Sequence, residues 1–146
     1  MKRENFDSLP PIVVEFLNYY SVIKNCSELT VNEYANDLST FFKYIKIIRG
    51  LVEKEIPFDE IVISDISLDL ISSVTLNDAY MYLTYCKLNR NNNERTRSRK
   101  VSTLRAFYKY LSVQKKIIKD NLSKRNVIVC LRIQSCKHAN SPSDNL

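Results

Sequence analysis

Basic side chains recur at helical spacing between residues 94 and 114, and the chemistry open to such a pattern is the binding of a polyanion. At about 100° per residue, one face of this stretch is apolar, with Val101, Leu104, Phe107, Tyr108 and Leu111. The opposite face holds Arg95, Arg99, Ser102, Ala106 and Lys109, with Arg105 at its edge. Such a helix packs its apolar stripe on a domain and offers its cations to phosphates. A charged face that only meets water is the ordinary alternative.

The distribution of charge along the chain favours a polyanionic partner. Residues 87–137 hold fifteen Lys and Arg against two acidic residues, whereas residues 1–86 hold seven basic against thirteen acidic ones. The formal net charge of the whole chain is +6. Like charges concentrated in one block repel each other unless a partner neutralises them. The sequence therefore predicts a nucleic acid or an acidic surface as the partner.

Other kinds of site have little support in the sequence. Cys130, Cys136 and His138 form a cluster whose spacing is looser than that of zinc sites and which lacks a fourth ligand. No glycine-rich phosphate loop or paired carboxylate site occurs, so we expect no metal, no cofactor and no small-molecule substrate. Cys26 and Cys86 are expected to be reduced packing residues.

The chain shows no apolar run of the roughly 18–20 residues that a membrane helix needs and no signal-peptide pattern. We therefore expect no membrane partner and a cytoplasmic location.

The elements that position the basic face are predicted to be helices. One glycine and four prolines in 146 residues, with long periodic apolar runs, favour an all-α fold. Helices are predicted from Leu9 to Lys24, from a Thr30/Glu33 capping box to Gly50, from Thr75 to about Leu88, and from Glu94 to Gln114. The apolar stripes expected on the first three are Val13, Phe16, Leu17, Tyr20 and Ile23; Val31, Tyr34, Ala35, Leu38, Phe41, Phe42, Ile45 and Ile48; and Leu76, Ala79, Tyr80 and Leu83. Residues 51–73 are less regular, with either a short extended piece or one or two helical turns. We expect one helical domain over residues 1–124 and an irregular or disordered tail over residues 125–146.

The second predicted helix carries a polar stripe opposite its apolar face. The stripe consists of Asn32, Asn36, Ser39 and Lys43. These side chains suit either a nucleic-acid groove or water, and taken alone the pattern favours water.

The order of these features resembles a known family. The chain contains Ser27-x-x-Thr30-x-x-x-Tyr34-x-x-Asp37-Leu38-x-x-Phe41, an acidic linker, Thr75-Leu-x-Asp78, and Arg99-Lys-x-Ser102-x-Leu104-Arg105-x-Phe107-Tyr108-x-Tyr110-Leu111. Over about residues 9–124 it is similar to the N-terminal core-binding, or SAM-like, domain of tyrosine recombinases. The likeness is strongest to Xer-type recombinases and phage integrases.

The resemblance implies a small four- to five-helix bundle that binds double-stranded DNA in the context of DNA integration and recombination. The second and fourth main helices of that domain face the major groove. Carried over by position, Thr30, Asn32 and Asn36 would lie near DNA on one helix, with Lys43 on the same stripe. The residues near DNA on the other helix would be Arg95, Arg99, Ser102, Arg105 and Lys109.

The sequence departs from the family where the catalytic domain should follow. Members continue with Asn-Pro and a linker, but here Leu122 follows Asn121. The family's catalytic domain supplies two arginines, a lysine, histidines and a nucleophilic tyrosine, and this chain has a single histidine, His138. We therefore expect no catalytic residue and no complete enzyme. The alternatives are a protein-interaction module or an inactive remnant of a truncated recombinase, and a full-length recombinase is a second candidate partner.

Overall fold

The computed structural model describes residues 3–115, and within them all regular structure is helical. Five α-helices occur: α1 (Pro11–Asn18), α2 (Glu28–Ile48), α3 (Leu68–Ser73), α4 (Leu76–Leu88) and α5 (Glu94–Lys109). Short 3-10 helices span Arg3–Ser8 and Phe58–Glu60, and π turns span Tyr19–Ile23 and Tyr110–Gln114. The predicted all-α fold with four to five helices is confirmed. The predicted tail and the Cys130, Cys136 and His138 cluster lie outside the described residues.

Contacts divide the chain into two compact units, residues 1–73 and residues 74–146. The first unit contains α1, α2 and α3, and the second contains α4 and α5.

The first predicted helix forms, but a π turn ends it. Pro11 occupies the first turn of α1, where no amide hydrogen is needed, and Val13, Phe16 and Leu17 are fully buried. The prediction that Ile23 is buried is wrong, because its side chain is 68% exposed. The π turn inserts one residue into the helical repeat, which rotates Ile23 away from the stripe that α-helical spacing predicts.

The start of α2 differs from the prediction, whereas its end agrees. The N-cap is Ser27, whose Oγ accepts from the Thr30 amide at 3.2 Å, and Thr30 is therefore inside the helix. At the other end Gly50 has a left-handed φ of 67°. The Leu51 amide donates to the Lys46 carbonyl at 2.9 Å, one of the paired bonds that close a helix with a glycine after its cap.

The core of the first unit is an aromatic and aliphatic layer between α1 and α2. The Phe16 ring centroid lies 4.7 Å from that of Tyr20 and 5.7 Å from that of Tyr34. Burial raises the pKa of the Tyr20 hydroxyl, and the neighbouring Tyr34 adds to this effect. Six of the eight apolar positions predicted on α2 are buried, and Tyr34 and Ile48 are half-buried. The buried ones are Val31, Ala35, Leu38, Phe41, Phe42 and Ile45.

Residues 51–67 pack on α2 without forming a strand. Ile61, Ile63 and Ile66 are buried, and the helical alternative for this stretch is realised in α3. The buried Lys46 amine donates to the Val62 carbonyl at 2.7 Å and to Asp65 Oδ1 at 2.8 Å. This hydrogen bond lowers the pKa of the Asp65 carboxyl below its ordinary value. Lys46 thus fixes residues 51–67, which we call the connector and which form no strand that could pair their carbonyls.

In the second unit, α4 starts where the sequence predicts. The Thr75 hydroxyl accepts from the Asp78 amide at 3.2 Å, and the Asp78 carboxylate accepts from the Thr75 amide at 2.9 Å. The predicted apolar stripe of α4 is partly wrong: Tyr80 is 40% exposed, while Tyr82 and Cys86 are fully buried. Tyrosine suits either environment because its ring is apolar and its hydroxyl polar, so its position in the pattern does not decide which one it takes.

Candidate nucleic-acid interface

The predicted basic face forms on α5. Because residues 94–109 are α-helical, the five predicted site residues fall within a sector of about 120° around the axis. They are Arg95, Arg99, Ser102, Arg105 and Lys109. Of these, Arg95, Arg99 and Lys109 are exposed and the other two are half-buried. The structure therefore brings the α5 part of the predicted site together on one surface, which we call the basic face.

Three of the four cations of the basic face are available to a ligand. Within residues 3–115, Arg95, Arg105 and Lys109 have no hydrogen-bond or ion-pair partner. Small side chains, Ser98, Ser102 and Ala106, run along the middle of the same face at intervals of four residues. A small central row lets a helix backbone approach a partner closely while longer arginines and lysines reach around it.

The opposite side of α5 holds this face in place. Val101, Leu104, Phe107 and Tyr108 are buried as predicted, which fixes the rotation of the helix about its axis. Not every basic residue of the charged block is on the surface, since Lys100 is buried. The number of cations that can meet a partner is therefore smaller than the sequence count suggests.

The loop before α5 fixes the start of the helix. The Asn93 side chain caps α5 by accepting from the Thr96 amide at 2.9 Å. The Arg97 guanidinium donates to the backbone carbonyl of Asn92, and the backbone N–H of Asn92 donates to the backbone carbonyl of Cys86 at 2.9 Å. These contacts join the last turn of α4, the loop and the first turn of α5.

Sequence reasoning missed Ser98 and Arg97. Ser98 belongs to the basic face, and its spacing of four residues from Ser102 was a signal that would have found it. The role of Arg97 has no signal in the sequence, since it depends on the path of a loop.

On α2 the predicted residues do not share one face. Asn32, Asn36 and Lys43 lie within a sector of about 40°, opposite the apolar stripe. Thr30 lies at the edge of the apolar stripe, more than 100° away from them. Its hydroxyl is 3.0 Å from Ser27 Oγ, in the capping turn. The structure therefore separates Thr30 from the rest of the polar stripe.

Lys43 is engaged by the connector. Its amine donates to the Asp59 carbonyl at 3.2 Å and lies 5.8 Å from the centroid of the Phe58 ring. An ammonium over an aromatic face is attracted by the ring's negative face. Lys43 thus donates to a backbone carbonyl of the connector, as Lys46 does one turn further along α2.

Within the described residues we looked for side chains that could bind a metal ion, cysteines that could react, and helices that could cross a membrane. No group of three or more His, Cys, Asp or Glu side chains in the described part of the chain is placed to hold a metal ion. Cys26 and Cys86 are free cysteines. Among the helices of residues 3–115, none is long and apolar enough to cross a membrane.

Comparisons with known proteins point to a single family. The family model described as "Phage integrase, N-terminal SAM-like domain" matches residues 13–63. "Tyrosine recombinase XerC" of Caldanaerobacter subterraneus subsp. tengcongensis is 51% identical over 112 residues, which are 77% of this chain and 32% of that protein. The protein of the same name from Leptospira interrogans is 31% identical over 115 residues, 79% of this chain and 30% of its own length. A third, from Anoxybacillus flavithermus, is 29% identical over 106 residues, 73% of this chain and 29% of its own length.

The chain spans about a third of the length of these curated relatives. No solved structure matches it significantly. The family model covers most of α1, all of α2 and most of the connector, and the matches to XerC proteins extend over about three quarters of the chain. With five helices and no strand within residues 3–115, the chain carries a SAM-like N-terminal domain of the phage integrase family, of the Xer-like tyrosine recombinase type.

Proposed function

We propose that this chain binds double-stranded DNA through the basic face of α5. The observation that carries the proposal is the arrangement of Arg95, Arg99, Arg105 and Lys109 in one sector, on a helix whose opposite side is buried. The likeness to XerC tyrosine recombinases supports DNA as the polyanion, since recombinases act on DNA. An acidic protein surface would satisfy the same charges, and the experiment below separates the two partners.

The dimensions of the helix suit the major groove. An α-helix with its side chains is about 10–12 Å across, and the major groove of B-DNA is about 12 Å wide. Ser98, Ser102 and Ala106 keep the centre of the face narrow, so that the backbone of α5 can enter the groove. The four cations would then reach the phosphates on either side, or base edges where a guanine presents two acceptors.

We further propose that this chain by itself does not cleave or join DNA. A recombinase of this class needs a tyrosine nucleophile with arginine and histidine side chains around the phosphate. All nine tyrosines of the chain lie between Tyr19 and Tyr110, and residues 3–115 contain no histidine. Incubation with a nicked suicide substrate should therefore trap no tyrosine-linked adduct, and recovery of such an adduct would refute this part of the proposal. A full-length recombinase as second partner remains a prediction.

Salt dependence of binding tests the DNA proposal directly. Each phosphate neutralised releases counterions, so the logarithm of the affinity falls with the logarithm of the salt concentration at a slope of about −0.9 per contact. Four contacts predict a slope of about −3.6, measured by gel shift of the purified chain on a duplex of random sequence. Binding of an acidic protein but not of duplex DNA would refute the proposal, and so would DNA binding that salt does not weaken.

A further inference from the structure

An open cavity of about 320 Å³ lies between the end of α1 and the first turns of α2. Pockets that hold small ligands begin at about 300 Å³, so this one has room for a group of side-chain size. We infer that it binds a guanidinium group on an apolar stem, with the Glu28 carboxylate as the counter-ion. The described residues that line the cavity all belong to the first unit. The site is separate from the basic face of α5 and independent of the proposed DNA binding.

Part of the lining is apolar. Leu17 of α1 and Val31 of α2 line the cavity and are buried. Phe6, in the 3-10 helix Arg3–Ser8, also lines it and is half-buried. Burial of methylene groups against such side chains favours binding, and an aromatic ring attracts a cation placed over its face. This part of the lining suits an aliphatic stem.

The rest of the described lining is polar, and its side chains are unused. It consists of Asn18, Ser21, Glu28 and Asn32. Within residues 3–115, none of these four side chains has a hydrogen-bond or ion-pair partner. Glu28 and Asn32 are one helical turn apart on the same side of α2, so that one ligand can contact both. A carboxylate, two amides and a hydroxyl thus line a single opening.

The chemistry of this lining favours a guanidinium. Glu28 carries the only charge among the described lining residues, and its carboxylate repels an anionic ligand. Carboxylate, amide and hydroxyl oxygens all accept hydrogen bonds, whereas a guanidinium has five N–H donors and no acceptor. Its planar fork also pairs with a carboxylate through two parallel hydrogen bonds, which an ammonium cannot do. A guanidinium therefore uses more of the acceptors in this cavity than an ammonium of the same charge.

Titration of the full chain with three compounds, followed by two-dimensional NMR, tests the ligand and its source. N-acetyl-arginine amide represents an arginine of a partner protein, agmatine represents a free guanidinium metabolite, and N-acetyl-lysine amide carries its charge on an ammonium. At least one guanidinium compound should shift the backbone amide signals of Asn18, Ser21 and Asn32 to saturation, and the lysine compound should bind more weakly. Tighter binding of the arginine compound assigns the site to a partner's side chain, and tighter binding of agmatine assigns it to a free ligand.

Two variants and a matched control test the residues of the site. Glu28→Gln should weaken binding by about threefold or more, a modest loss because Glu28 is exposed and its charge is screened. Glu33→Gln, the control, removes the same charge from α2 outside the described lining and should bind like the parent. Ser21→Leu fills part of the cavity without a change in charge and should abolish binding. Far-UV circular dichroism shows whether each variant is folded.

The opposite results are equally definite. Equal binding of the arginine and lysine compounds would overturn the choice of a guanidinium. Equal losses in Glu28→Gln and Glu33→Gln would overturn Glu28 as the counter-ion, because they would show a general effect of charge. Parent-like binding by a folded Ser21→Leu, or no shifts around the cavity, would overturn the site itself. Failure of the chain to bind duplex DNA would refute the proposed function and leave this site untouched.

Discussion

Replacing Arg95 by alanine should change DNA affinity and folding stability in opposite directions. Arg95 lies in the first turn of α5, where the helix dipole places a partial positive charge. It is exposed and has no hydrogen-bond or ion-pair partner among residues 3–115. Removing a cation from this position should stabilise the folded state by about 0.3–1 kcal/mol. If the same side chain meets a phosphate, its removal should weaken DNA binding.

The size of the binding effect follows from the four cations of the basic face. With a slope of about −3.6, the parent chain should lose about 150-fold in affinity between 50 and 200 mM salt. With three contacts left, the slope becomes about −2.7 and the loss about 40-fold. Gel shifts over this range of salt distinguish the two slopes, and urea unfolding measures the stability of the same samples.

The matched control is Lys54→Ala, which removes the same charge from an exposed position in the acidic connector. Both variants carry a net charge one unit lower than the parent, so any difference between them comes from where the charge sits. Equal salt slopes for Arg95→Ala and Lys54→Ala would refute the assignment of DNA binding to the basic face. A loss of stability in Arg95→Ala would refute the argument from the helix dipole, independently of DNA.

Four further predictions concern stability and are measured by urea unfolding. Ser27→Ala should cost about 1 kcal/mol because it removes the α2 cap, whereas Thr30→Ala should cost less; the reverse order would restore Thr30 as the cap. Lys46→Met should cost about 0.5–1.5 kcal/mol, chiefly from the lost hydrogen bond to the Val62 carbonyl, because the Asp65 side chain is 65% exposed and its ion pair is screened. Because the pKa of Asp65 is lowered in the folded state, its ion pair stabilises the fold above the ordinary pKa of 3.8, and this stability is lost as pH falls through the lowered pKa. The parent should therefore lose more stability than Lys46→Met on acidification in that range. Parallel curves of stability against pH would contradict the argument. Phe107→Ala should cost about 3–5 kcal/mol, and a loss below 1 kcal/mol would show that the buried side of α5 is not what holds the helix.

The sequence predicted the rotation of α5 and the boundaries of α4 because both depend on local patterns. The apolar spacing of Val101, Leu104 and Phe107 allows only one buried side, and the basic face follows as its complement. Thr75 and Asp78 form a reciprocal cap, so the start of α4 is fixed by two hydrogen bonds within four residues. Local chemistry of this kind is fully contained in the sequence.

What the sequence could not supply depends on competition or on distant contacts. Ser27 and Thr30 are both good caps three residues apart, and only the path of the chain into α2 decides between them. Lys43 has the spacing of a surface cation, but a carbonyl sixteen residues away binds its amine. The side of α2 that meets solvent was therefore predictable, whereas the availability of each side chain on it was not.

The two π turns have a consequence for aligning this chain with its relatives. In each of Tyr19–Ile23 and Tyr110–Gln114, the π turn contains one residue more than a continuous α-helix would need. A relative without the extra residue would keep the same packing only if the alignment has a one-residue gap within the turn. An ungapped alignment would shift every pair of positions on one side of the turn by one, which corresponds to a rotation of about 100° around the helix. Residue equivalences drawn across these two turns should therefore be checked against the buried positions before each turn, for which Leu17 and Phe107 are convenient markers.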